Sequence, residues 1–162
     1  MIAQSHKNPR FIRRAILFLL SGAVLLCLLA AWPLLTALLG GGDYTGTIAL
    51  NWGLSLPTSS GCRYETDSGP SFHGDGERYH VLAYPQNNSV ETALAWRDPP
   101  PEESTAAGIA QLLENLSVPE AERPDMDCCR WYTATDPDDP RNQLWLLLSP
   151  SGTRLYVLET FF

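Results

Sequence analysis

Lysine is nearly absent from the chain: Lys7 is the only one in 162 residues. No acid precedes Asp43, whereas Lys7, Arg10, Arg13 and Arg14 all precede Ala15. Beyond Gly42 the balance reverses. All eighteen acids lie there against seven arginines (63, 78, 97, 123, 130, 141 and 154), a net charge of −11 beside a tail of +4. A body so charged has no basic face to release counterions from a phosphate backbone, which excludes nucleic acid as a partner. Also missing are Gly-x-Ser-x-Gly, His-Glu-x-x-His, any phosphate-cradling glycine loop and any internal repeat. The case for an enzyme is therefore weak from the outset.

The longest apolar run is AILFLLSGAVLLCLLAAWPLLTALL, residues 15–39, with no charge in it. As a helix rising about 1.5 Å per residue it reaches roughly 37 Å, enough to cross a hydrocarbon core of about 30 Å with some tilt. Backbone amides must be satisfied inside lipid, so a single spanning helix is the expected form. Trp32 suits the outer interface, and Pro33 loosens the last turn. The run is far longer than the apolar core of a cleaved signal peptide, about 7–15 residues. Cys27 follows Val24-Leu25-Leu26 rather than the small residue of a lipid-attachment site, and reads as an apolar helix residue. The basic tail 1–14 places the N-terminus in the cytoplasm by the positive-inside rule. Residues 44–162 then form an extracytoplasmic domain, joined through the Gly-rich stretch 40–43 to an anchor in the inner (plasma) membrane.

Outside the membrane lie Cys62, Cys128 and Cys129, in a compartment where disulfides persist. One structural bridge is expected, Cys62 with either Cys128 or Cys129, constraining the unfolded chain by a few kcal/mol. On a strand the adjacent cysteines point to opposite faces, so only one of them can meet Cys62. A vicinal Cys128–Cys129 bridge is the sterically poorer alternative.

The patterning of the domain predicts an α+β fold, a small antiparallel sheet with two short helices. Residues 44–52 (YTGTIALNW) carry the β-branched and aromatic content of a first strand, followed by 62–66 (CRYET) and 78–84 (RYHVLAY), which ends at Pro85. Asn88 with Glu91 reads as a capping box opening a helix to about Ala95. Ile109, Leu112, Leu113 and Leu116 fall at i, i+3, i+4 and i+7, one stripe of a second helix over 104–116. Three strands close the chain at 128–135, 143–148 and 153–161. Their short connectors, DPDDPRN and SPSG, require antiparallel neighbours.

One segment stands apart from this framework. Residues 72–77, FHGDGE, place Gly74 and Gly76 around Asp75, so that a sharp structural turn can present His73, Asp75 and Glu77 together. Those side chains suit a divalent metal or an acid–base pair; the simpler expectation is a strand-entry turn, with no cofactor. The acidic turn 136–140 lacks the glycine and the bidentate glutamate of a calcium loop, since Arg141 and Leu147 stand at those positions.

The stretch Asp67-Ser68-Gly69-Pro70-Ser71-Phe72-His73-Gly74-Asp75-Gly76 resembles the signature of a family of small uncharacterised bacterial proteins, in which Phe-His-Gly-Asp-Gly precedes a strand. Trp96, the Asp136–Asp139 turn and Leu155-Tyr156-Val157-Leu158-Glu159 resemble that family's later landmarks, so the likeness covers roughly residues 62–162. Here Gly69-Pro70-Ser71 replaces the family's His-Gly-Gly. The resemblance implies a fold unit and no reaction.

Three roles follow, in order of support. The first is an anchored, non-catalytic domain of protein-binding, envelope-accessory or immunity type, whose acidity suits a basic protein partner. The second is a metal-dependent or acid–base enzyme centred on His73, Asp75 and Glu77. The third is a small subunit of a membrane complex, packing through Ser21-Gly22-Ala23.

Overall fold

The computed structural model describes residues 43–69, 75–86 and 88–162. The basic tail, the expected membrane span 15–39, residues 40–42, His73 and Gly74 lie outside the described residues. Among the described residues no helix is long and apolar enough to cross a membrane. In chain order the elements are α1 (Tyr44–Trp52), β1 (Gly61–Asp67), β2 (Gly76–Ala83), α2 (Val90–Ala93), α3 (Glu103–Asn115), a 3-10 turn at Glu120–Glu122, β3 (Arg130–Thr135), β4 (Gln143–Leu148) and β5 (Arg154–Phe161). The five strands form one sheet ordered β1-β2-β5-β4-β3, antiparallel throughout.

Both faces of the sheet are covered. This is why β4 (QLWLLL) and β5 (RLYVLETF) are apolar almost continuously rather than alternately. On one face, Ile109, Leu112 and Leu113 of α3 pack against Tyr79, Val81, Trp131, Trp145, Leu147, Tyr156 and Leu158. On the other, Ile48 of α1 and Val90 of α2 meet Leu82, Leu144, Leu146, Leu148, Leu155 and Val157. Each fully buried Leu or Val contributes about 1.5–3 kcal/mol over leaving it exposed, so these two layers hold the domain together. Gly108 lets α3 approach closely: a Cβ there would stand 3.2 Å from the Trp145 ring.

The outer edge of β3 is closed by the chain around Arg97, which exchanges two backbone hydrogen bonds with Trp131 (2.8 and 3.0 Å). The Trp131 indole N–H also donates to the Asp98 carbonyl at 3.0 Å. At the opposite edge, β1 presents Arg63, Glu65 and Asp67 to solvent and is broken by a bulge between Cys62 and Tyr64. Charges and bulges are the usual devices that stop a free edge from recruiting another strand.

The sheet and the helix over 104–116 agree with the sequence pattern, but three expectations need correction. Residues 44–52 are a helix, so the described domain has three helices rather than two. The Asp43 carbonyl accepts the first bond from Gly46 at 2.8 Å, and Gly53, at φ 65°, closes the last turn by donating to Ala49. Tyr44, Ile48 and Trp52 thereby stack on one helical face against the sheet. The helix after Asn88 ends at Ala93. Asn88 Oδ1 caps the Val90 N–H at 2.8 Å, yet Glu91 pairs with Arg130 at 3.3 Å instead of completing a capping box.

Finally, Cys62, Cys128 and Cys129 are free thiols. Cys62 shares a row with Leu82, Leu155, Leu148 and Arg130, four strand spacings from end to end. At about 4.8 Å each, that puts about 19 Å between Cys62 and the residue next to Cys129, too far for the expected bridge.

Candidate functional site

The polar chemistry of the domain gathers on the α1 face of the sheet, where β1, β2 and β5 meet. Glu159 of β5 is fully buried. Its carboxylate accepts the Tyr44 hydroxyl and, at 2.5 Å, the Trp52 indole N–H, so α1 is fastened to the sheet at both ends of its inward stripe. Burial first, and then the Glu159 charge, push the Tyr44 phenol well above its ordinary pKa. Beside it the His80 ring stacks on Tyr44, centroids 3.5 Å apart and planes 26° from parallel. His80 is buried, and its pKa is driven down to about 4, chiefly by that burial and then by the Arg78 guanidinium, against the pull of Asp67.

His80 Nδ1 is buried without a hydrogen-bond partner, the one such side-chain nitrogen or oxygen among the described residues. Facing it across the β1–β2 ladder are Glu65, whose Oε2 lies 3.7 Å from Nδ1, and Cys62. The donor atoms of Cys62, Glu65 and His80 all lie within 4.8 Å of one another. The bulge at Arg63 makes this possible. In a regular strand residues 62 and 65 point to opposite faces. With one extra residue accommodated, Cys62 pairs with Leu82 and Glu65 with His80, two positions on the same face of β2. The Cys62 thiol donates to the Tyr64 carbonyl at 3.1 Å, and burial followed by the Glu65 charge raises its pKa.

The FHGDGE segment contributes to a different place. Asp75 and Glu77, with Ser68, Gly76, Phe161 and Phe162, line an open cleft of about 370 Å³. Glu77 sits on the α3 side of β2 and accepts a hydrogen bond from Asn115 at 2.8 Å, so it does not converge with His80 on the opposite face. Gly76 opens β2 at φ 153°, and a Cβ there would stand 2.7 Å from Ser68 Oγ, which fixes glycine at that position. His73 and Gly74 lie outside the described residues, so the constellation is described only at Asp75, Gly76 and Glu77.

Sequence reasoning named Cys62 only as a disulfide partner, and it set Glu65 and His80 aside as partners of the FHGDGE segment because neither sits at a recognised ligand spacing. The available signal was a Cys-x-x-Glu on one predicted strand and a histidine on the next, but the bulge that aligns them leaves no mark in the residue pattern. No family model, curated protein or solved structure matches the chain, so its own geometry carries the functional reading.

Proposed function

We propose that the chain is a single-pass protein of the inner membrane, N-terminus cytoplasmic, whose residues 43–162 are a non-catalytic extracytoplasmic domain that binds a basic protein. The observation that carries this is the distribution of charge. Of the eighteen acids only Glu159 is buried; the others reach the surface wholly or in part. Four of the seven arginines are already engaged, Arg97 with Glu102, Arg123 with Glu114, Arg130 with Glu91 and Arg141 with Asp139. The outward field is therefore negative, the condition for steering and holding a cationic surface.

Photo-crosslinking from exposed acidic positions such as Glu120 and Asp127, in the full-length protein in its native membrane, tests the reading. The expected product is a protein with a basic surface whose recovery falls as salt shortens the Debye length from about 8 Å toward 3 Å. Recovery indifferent to salt, or a neutral partner, would count against it. Labelling of Cys62 by a membrane-impermeant thiol reagent added outside intact cells tests the topology. Labelling only after the membrane is opened would reverse it.

A further inference from the structure

We propose that Cys62, Glu65 and His80 bind a transition-metal ion, zinc by donor preference, at the β1 edge of the sheet. This goes beyond the binding of a basic protein and stands or falls separately from it. Three observations carry it.

The first is the bulge at Arg63, which alone puts positions 62 and 65 on one face and sets them beside His80. The second is the orphaned nitrogen. Buried polar atoms nearly always have partners, and leaving one without costs about 1–3 kcal/mol. His80 is about nine-tenths buried, yet its Nδ1 faces Glu65 with no hydrogen bond. The third is the spacing. The 3.7 Å between Nδ1 and Glu65 Oε2 is too long for a hydrogen bond. It is close to the roughly 3.4 Å that separates a nitrogen and an oxygen on one tetrahedral zinc ion.

The donor set decides the metal. Calcium and magnesium prefer oxygen alone, whereas a thiolate, an imidazole and a carboxylate together suit a borderline-soft ion. Coordination takes the proton from the Cys62 thiol and releases it to solvent. The Tyr44 ring of α1, stacked on the imidazole, holds it in place. Cys62 and Glu65 are exposed, so the fourth position opens to water and is free for a small ligand. Of the charges around the site Arg78 opposes a cation, while Asp67 and Glu65 favour it.

The test uses the full chain, purified in detergent under reducing, metal-free conditions. Zinc is titrated against a chromophoric chelator, and cobalt is added as a spectroscopic probe. One ion per chain is expected, with a thiolate-to-cobalt charge-transfer band. Loss of an outer-sphere partner alone costs about 10–100-fold in affinity, so Cys62→Ser should weaken zinc by at least about 100-fold and abolish the band. Glu65→Gln should weaken it by about 10-fold or more. Both positions are exposed, and unchanged circular dichroism would show the fold intact. Cys128→Ser and His73→Ala should change nothing. No stoichiometric uptake at micromolar zinc, uptake that survives Cys62→Ser, or uptake lost on His73→Ala would each overturn the proposal.

Discussion

At Glu159 a carboxylate is held at the centre of the sheet by one hydroxyl and one indole, both from α1. Replacing it with alanine would leave two half-buried donors, the Tyr44 hydroxyl and the Trp52 indole N–H, unpaired and a cavity behind. The expected loss is about 3–5 kcal/mol, read by denaturant titration of the full chain. A loss below about 1 kcal/mol would mean that α1 is held by its apolar stripe alone. Asp43, at the start of the same helix, is a gentler case. Burial alone would raise its pKa, but hydrogen bonds from the Ser59 hydroxyl and amide and from the Thr45 hydroxyl outweigh it and leave the group lower than usual. A depressed carboxyl stabilises above its unfolded value of 3.8 and loses that contribution as pH falls through the folded value. Asp43→Asn should therefore cost about 1 kcal/mol at neutral pH, part exposure screening the rest. The gap between variant and parent should close in acid below pH 3.8, as thermal melts across that range would show.

Among the elements, α3 and the closing strands were legible because their periodicity matches their burial: Ile109, Leu112 and Leu113 mark one helical face, and QLWLLL between two turn-rich connectors marks a central strand. Residues 44–52 misled because composition spoke for a strand while spacing spoke for a helix. Tyr44, Ile48 and Trp52 at four-residue intervals, with Asp43 before and Gly53 after, were the better evidence. The bulge in β1 could not be read at all, since a single extra residue in a short polar edge strand has no compositional mark. It can nevertheless be tested. Deleting Arg63 should remove the extra residue and leave Cys62 two positions from Glu65 in regular alternation, both still on the α1 face, with little loss of stability because β1 is an edge strand. Cobalt should then still give the thiolate charge-transfer band while the thermal midpoint stays within a few degrees of the parent. A band that is lost would show that the site needs the local geometry of the bulge and not merely a shared face.

The disposition of the whole molecule explains why no pairing of thiols could be chosen from sequence. Residues 62 and 128 suggest a long loop closed by a bridge, but the order β1-β2-β5-β4-β3 sends their strands to opposite edges. Cys62 also belongs to the α1 face, whereas Cys129 is buried among the residues packed under α3. Burial raises the pKa of the Cys129 thiol to about 11, so it is the slowest of the three to form a thiolate. Mild oxidation of the full chain, followed by peptide mapping, should therefore give no bridge within one chain between Cys62 and either Cys128 or Cys129. Alkylation under native conditions should modify Cys62 and Cys128, both exposed, well before Cys129. An intramolecular Cys62 bridge in good yield would require its partner's Cα within about 7 Å, and the strand order itself would then have to be redrawn.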